Sequence, residues 1–199
     1  ETVGHRLRAE PFRFRGSDEW AAGLRERRVE PDLDQRKAKI RALLDEAERT
    51  LGSDPILDDA LLEEVTHLVE APGLVIGRFD AALLVLPPRL LVQTMKQNQR
   101  YFPVFREGKL ASEFVVITNN PDGDPVAMAS GNAAVILARF DDARFFLAED
   151  RKKRLEEHGT RLADMRWIRG LGTVADRQLR VAALGVALCQ TTGATAGIV

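Results

Sequence analysis

Apolar residues recur along this chain with two different periods, and the switch between them outlines the fold. Ile40, Leu43, Leu44, Ala47 and Leu51 lie one to three turns apart on one stripe of a helix. Its other side carries Arg36, Lys37, Lys39, Asp45 and Glu46. Pro31 is expected to start this helix, and Gly52 with Pro55 to end it. A second amphipathic helix follows Asp58-Asp59 with Leu61, Leu62, Val65, Leu68 and Val69 inward, and Pro72-Gly73 breaks it. The period then shortens. Leu74 to Phe79 is a brief apolar run with β-branched residues and predicts a buried strand. A helix opening on Pro87-Pro88 runs toward Tyr101, after which Tyr101–Arg106 and Leu110–Thr118 flank Glu107-Gly108-Lys109 as a hairpin. Asn119 to Pro125 consists of turn formers and predicts a loop.

The two ends are patterned differently. Phe12 and Phe14 alternate around Arg13 and Arg15 as in an edge strand. Ser17 is the expected N-cap of a short helix reaching about Arg27. Beyond the loop, Ser130 or Asn132 is expected to cap a helix carrying Val135, Ile136, Arg139, Phe140, Ala143, Phe146 and Leu147. Helical pattern continues through Leu155, Leu162 and Met165 to Trp167-Ile168, and Gly170-Leu171-Gly172 breaks it before a last helix over about Thr173 to Cys189. Helices around a central cluster of strands predict an α+β domain, followed by an all-helical unit with the boundary between Asp150 and Gly172.

Composition narrows the function classes. The chain has 199 residues, 45% of them hydrophobic and 30% charged, yet its net charge is -1. That excludes a generally basic nucleic-acid binder, so any RNA contact must use a local patch. The lone cysteine, Cys189, lies among Val186, Ala187 and Leu188 and is expected to be a buried small hydrophobe, which favours a reducing, cytoplasmic setting. No signal-peptide pattern precedes the first domain and no run of 18 apolar residues is present, so no membrane partner is expected. The chain begins at Glu1 and ends mid-pattern in Gly197-Ile198-Val199, which predicts a fragment of a longer polypeptide.

The densest chemistry lies in Thr94-Met95-Lys96-Gln97-Asn98-Gln99-Arg100-Tyr101-Phe102-Pro103. In an α-helix Lys96, Gln99 and Arg100 would share one face near its C-terminal end, beside an exposed Tyr101. Two cations, an amide and an aromatic ring suit a phosphate backbone or an unpaired base. The same residues also fit a solvated last turn with the aromatics in the core.

Neighbouring segments give this junction a context. Glu63-Glu64-Val65-Thr66-His67-Leu68-Val69-Glu70 precedes it and Leu86-Pro87-Pro88 leads into it. Ser130-Gly131-Asn132, Ala138-Arg139-Phe140-Asp141-Asp142-Ala143-Arg144-Phe145-Phe146 and Leu171-Gly172-Thr173 follow. In this order and spacing the chain resembles the β subunit of bacterial heterotetrameric glycyl-tRNA synthetases, from about Gly4-His5-Arg6 and most clearly between Pro31 and Arg180. Phe140 and Asp141 depart from the Leu and Ala usual in that family, and Ala71 stands where Trp is usual. The resemblance implies an interior fragment, with a B3/4-like α+β domain over residues 1–155 and the opening helices of an HD-like helical domain over 156–199. It also implies that glycine–tRNA ligation, with ATP and Mg, is carried out on the α subunit, with no cofactor in this fragment. The implied partners are that α subunit, tRNA(Gly) and the remaining domains of the β subunit. The isolated fragment is expected to be inactive.

Catalytic motifs are not found. Nothing supplies a phosphate-gripping set, and Gly170-Leu171-Gly172 is a lone Gly-x-Gly without a preceding strand. Glu64-Val65-Thr66-His67 is one copy of a spacing that di-metal bundle sites need twice, so His67 is expected to lie beside a core face. His5, His67 and His158 are followed by Arg, Leu and Gly, leaving no His-Asp pair. No catalytic and no metal-binding residue is therefore expected. The B3/4 resemblance extends to a domain that edits misacylated tRNA in phenylalanyl-tRNA synthetases; Thr94, Gln99, Asn119, Asn120 and Asn132 are the polar candidates here, but they form no spacing pattern. Lys96, Gln99, Arg100, Tyr101, Arg139 and Arg144 are the expected nucleic-acid-binding residues. Intrahelical pairing of Arg139 with Asp142 and of Arg144 with Asp141 is the structural alternative for the last two. Arg151-Lys152-Lys153-Arg154, flanked by Glu149-Asp150 and Glu156-Glu157, predicts a solvated, locally neutralised face. Rival readings are an editing-like or HD-type hydrolase module and a pure interdomain scaffold.

Overall fold

The structure, a computed structural model, describes residues 1–5 and 9–193; Arg6 at the start of the family resemblance and the closing Gly197-Ile198-Val199 lie outside the described residues. The chain divides into two compact units, residues 1–144 and residues 145–199, at a point within one helix.

The first unit is built on a three-stranded antiparallel sheet ordered β3-β5-β4, formed by β3 (Gly73–Arg78), β4 (Phe102–Arg106) and β5 (Lys109–Thr118). Thr2–Val3 (β1) and Pro11–Phe12 (β2) form a separate short ribbon, so the edge strand expected around Phe12 stops before Phe14. Helices α1 (Ser17–Glu26), α2 (Leu33–Leu51) and α3 (Asp59–Leu68) precede β3. A 3-10 turn over Ala81–Val85, α4 (Pro88–Gln93) and a π-helical stretch over Thr94–Gln99 connect β3 to β4. The long α5 (Pro125–Asp150) follows β5.

Strand alternation gives the sheet two apolar faces. Val115 and Ile117 of β5 join Phe102 and Val104 of β4 and pack against Ile40, Leu44 and Ala47 of α2 and Leu62 and Val65 of α3. Phe114 faces the other way. Tyr101 stacks on it at 4.9 Å between centroids, and nearby Phe79 meets Phe140 of α5 edge-on at 5.0 Å. Gly77 pairs with Phe114 across the ladder, where a Cβ would come within 2.2 Å of the Phe114 ring. Its missing side chain makes room for the aromatic stack.

Caps explain most boundaries. Asp32 accepts from Gln35 N, so α2 starts after Asp32 rather than at Pro31, and left-handed Gly52 ends it. Asp58 accepts from Leu61 N at the start of α3. Gly16, extended at φ -156°, is the N-cap of α1 in place of Ser17, which is already the first helical residue, and no side chain closes that turn. The hairpin turn places Glu107 and Gly108 at φ 51° and 73°, and both amides donate to Asp54. α5 starts at Pro125, ahead of Ser130 and Asn132, with Asp124 accepting from Val126 N. Leu68, expected to face inward, is exposed, as are Val135 and Phe146 of α5.

In the second unit the cationic run after α5 is a turn rather than helix. The continuous helix expected to Ile168 is replaced by α6 (Leu155–Gly159), a 3-10 turn over Thr160–Ala163 and a loop. α7 (Val174–Thr192) opens on a capping box between Thr173 and Asp176. Cys189 is half-buried rather than buried. Among the described residues no helix is long and apolar enough to cross a membrane.

Two outcomes test this packing. Gly77→Ala forces Phe114 aside and is expected to destabilise the chain by about 1–3 kcal/mol in urea unfolding. The second concerns Glu113, which accepts two hydrogen bonds from Arg106 at 2.9 and 3.3 Å. Those bonds hold its carboxyl below the usual 4.5 while burial pulls the other way. A depressed folded value means that the stabilisation is present above pH 4.5 and is lost as pH falls below it. Arg106→Met is therefore expected to cost about 1–2 kcal/mol at neutral pH, and the gap to wild type to narrow in unfolding curves taken toward pH 3.

Candidate nucleic-acid interface

The junction expected to be an α-helix running into a strand is wound differently. After α4 the backbone widens into π-helix over Thr94–Gln99, anchored by the buried Leu91 and Met95. It closes with Arg100 N donating to Lys96 O at 3.3 Å and Tyr101 N to Met95 O at 3.0 Å. Each bond spans one residue more than its Schellman counterpart. Arg100 carries the reversal at φ 56°, ψ 35°, the left-handed region that disfavours a side chain. The single α-helical face predicted for Lys96, Gln99 and Arg100 therefore does not form, because the register changes within it.

Lys96 and Arg100 nevertheless converge on one neighbour, α3. Lys96 Nζ pairs with Asp58, the residue that also caps α3. Arg100 Nε donates to Glu64 Oε1 at 2.7 Å, while its Nη1 donates to the Gln97 carbonyl at 2.8 Å. Burial alone would raise the Asp58 carboxyl, but hydrogen bonds from Lys96 and Leu61 N outweigh it and hold the group below its usual range. Both cations are thus partly exposed and already paired. Asp58 and Glu64 are the partners that sequence reasoning misses. A signal for them exists: both acids belong to the helix whose apolar side faces the core, so their positions leave them free to meet a neighbouring element.

Tyr101 is 4% exposed, not presented to solvent. Its ring is stacked on Phe114 and its hydroxyl donates to Asn132 Oδ1 at 2.6 Å, while burial pushes its pKa up. A base cannot stack on it without opening the core. Gln99 is half-buried at the end of the widened turn. Arg139 and Arg144 are exposed on α5, the first 4.0 Å from Asp142 and the second 2.8 Å from Asp141, the intrahelical pairing that their spacing allows. No described contact joins them to Lys96 or Arg100.

The polar candidates for an editing pocket are engaged in the fold. Asn119 Oδ1 accepts from the amides of Glu70 and Ala71 at 2.8 Å each, and its carbonyl accepts from His5 at 2.6 Å. Asn132 binds Tyr101 and donates to the Met128 carbonyl. Thr94 donates to the Leu90 carbonyl. His67 is exposed and bonded to Glu63 rather than set beside the core. Among the described residues no cluster of three or more His, Cys, Asp or Glu side chains could hold a metal ion.

Comparison with known proteins adds what geometry alone does not carry. Residues 1–197 match the family described as Glycyl-tRNA synthetase beta subunit. The chain is 42% identical over 194 residues to the glycine–tRNA ligase beta subunit of Enterobacter sp., covering 96% of this chain and 28% of that protein. The Klebsiella pneumoniae protein of the same name gives the same identity and coverage. That of Salmonella paratyphi B is 42% identical over 184 residues, 91% of this chain and 27% of its own. The chain thus spans a little over a quarter of the length of these curated relatives. A match along nearly all of its residues, at that identity, means that the chain belongs to the glycyl-tRNA synthetase beta-subunit family.

Proposed function

We propose that this chain is the part of a glycyl-tRNA synthetase β subunit that engages tRNA(Gly) and supports subunit architecture, in the cytoplasm, while ATP- and Mg-dependent ligation occurs on the α subunit. Beyond family membership, the supporting observation is that Lys96 and Arg100 are held at fixed positions at the surface by carboxylates of one helix. Surface ion pairs contribute only about 0–1 kcal/mol, so a phosphate can take the place of Asp58 or Glu64 with little net loss. Arg139 and Arg144 are held by still more exposed partners. The B3/4-like identity of residues 1–155 and the HD-like identity of residues 156–199 belong to the same proposal. A scaffold role is the second reading, favoured by apolar side chains exposed on the second unit, among them Leu155, Leu179 and Phe146.

Removing the cations and removing their acids separates these readings. In the complete α/β enzyme, Lys96→Ala with Arg100→Ala is expected to weaken tRNA binding and to flatten the slope of log K against log salt, by less than the roughly 0.7–0.9 per phosphate that an unpaired cation would give. Asp58→Asn with Glu64→Gln breaks the same pairs but leaves the cations, and is expected to keep or tighten tRNA binding. If both double variants weaken binding alike, the seam is structural and the phosphate reading fails. Hydrogen-exchange protection by added tRNA within residues 1–193 is expected as well, and its complete absence would refute RNA engagement by this region.

A further inference from the structure

The second unit holds a surface that the reading above leaves unused. Residues 145–199 carry nine Lys and Arg against six Asp and Glu, whereas residues 1–144 carry twenty against twenty-four. The excess is concentrated. Between residues 161 and 180, Arg161, Arg166, Arg169, Arg177 and Arg180 face only Asp164 and Asp176, and Asp176 is committed to the capping box at Thr173.

The loop between the 3-10 turn and α7 is shaped by its own backbone. Arg166 and Thr173 form an antiparallel bridge, Trp167 N donates to the Gly172 carbonyl at 3.0 Å, and Val174 N to the Met165 carbonyl at 2.8 Å. Gly170 and Gly172 take φ 86° and 80° to make the reversal. A Cβ at position 172 would also meet the Asp176 carboxylate at 2.3 Å. Arg180 Nη2 donates to the Leu171 carbonyl at 2.9 Å and ties the tip to α7. The loop is therefore a pre-shaped element rather than a slack connection.

Its side chains combine charge with an open aromatic. Arg166 and Arg169 are exposed and form no ion pair with any described residue. They flank Trp167, which is 42% exposed, and the Arg177 guanidinium lies 4.4 Å from the Trp167 ring centroid. A depression of about 440 Å³ beside them is lined by Asp164, Arg166, Arg169 and Thr173, with the apolar Ile168 and the two loop glycines completing its wall.

We propose that the loop from Arg166 to Gly172 is an RNA-docking element, with Arg166 and Arg169 meeting phosphates and the Trp167–Arg177 stack receiving an unpaired base. The proposal rests on the tRNA-engaging reading and locates a contact that it does not. Unpaired guanidiniums bind phosphate through two parallel hydrogen bonds without first giving up a carboxylate. Single-stranded RNA is recognised by such cations together with an aromatic face, whereas a protein partner would use the ring without requiring the two free charges. Lys96 and Arg100 lack both features, since each is paired and their neighbouring ring is buried.

The test uses the complete α/β assembly titrated with tRNA at several salt concentrations. Arg166→Ala with Arg169→Ala is expected to weaken binding about tenfold at moderate salt and to flatten the log–log salt slope by roughly 1.5, about 0.7–0.9 for each phosphate lost. Arg→Lys at both positions should keep the slope. Trp167→Ala is expected to weaken binding by about tenfold with the slope unchanged, because stacking releases no counterions. An assembled Ala double variant with wild-type affinity and slope, while tRNA still protects other parts of residues 1–193 from hydrogen exchange, overturns the loop contact alone. No protection anywhere in those residues overturns the tRNA reading with it. Loss of α/β assembly in the Ala double variant, with unchanged affinity in whatever assembles, assigns the loop to protein docking and equally overturns the proposal.

Discussion

β5 must satisfy two cores at once, and the first unit is arranged around that requirement. As the central strand it has neighbours on both edges, and its side chains alternate between a helical layer of α2 and α3 and an aromatic layer containing Tyr101. Only a strand apolar on both faces can occupy such a position, which is why Phe114 to Ile117 reads as a continuous apolar run. The polar end of the same strand is stabilised differently. Glu113, facing the α2 side, is 8% exposed and held by Arg106, which also donates to the last carbonyl of α2. One ion pair thus closes the sheet where its apolar residues run out, and it locks β4, β5 and α2 together.

Much of this is legible in the sequence because the signals are local. The stripe through Ile40, Leu44 and Ala47, the helix start after Asp58-Asp59, the run from Leu74 and the turn at Glu107-Gly108 each depend on residues within a few positions of one another. The α+β class follows from them. What escapes is set by contacts distant in sequence. Tyr101 looks like an exposed aromatic at a helix end until Phe114 and Gly77 are placed beneath it, thirteen and twenty-four positions away. The early start of α5 has a local cause, Asp124, that competes with the more conspicuous Ser130 and Asn132. Asn132 is instead the acceptor for a buried hydroxyl, a role that only tertiary packing assigns.

The candidate site departs from its expected form for a related reason. Spacing of three and four residues places side chains on one face only while the helix keeps its α period. The widening over Thr94–Gln99 and the left-handed turn at Arg100 break that period at the point where the inference relies on it. A π-turn and a left-handed arginine both cost conformational energy, of order 1–2 kcal/mol for the latter, and the surrounding contacts offset it. Met95 is fully buried beneath the turn, while Glu64 and two main-chain carbonyls receive the Arg100 side chain. Residue type alone reveals the cations, whereas their partners Asp58 and Glu64 emerge only from the packing of α3 against the turn.

That distinction bears on how a chain of nearly zero net charge can meet a polyanion. A cation contributes to phosphate binding in proportion to the counterions it releases, and one already neutralised by a carboxylate releases fewer. In the first unit the candidate cations are paired: Lys96 with Asp58, Arg100 with Glu64, Arg144 with Asp141. The unit is negative as a whole, so its long-range field would repel a polyanion, and any phosphate contact it made would act only at short range. The second unit has the opposite balance, and Arg166 and Arg169 stand on a backbone that fixes them without using their charge. On the proposed reading, attraction would belong to the second unit and registration to the first, a division that follows from where each cation finds its nearest acid.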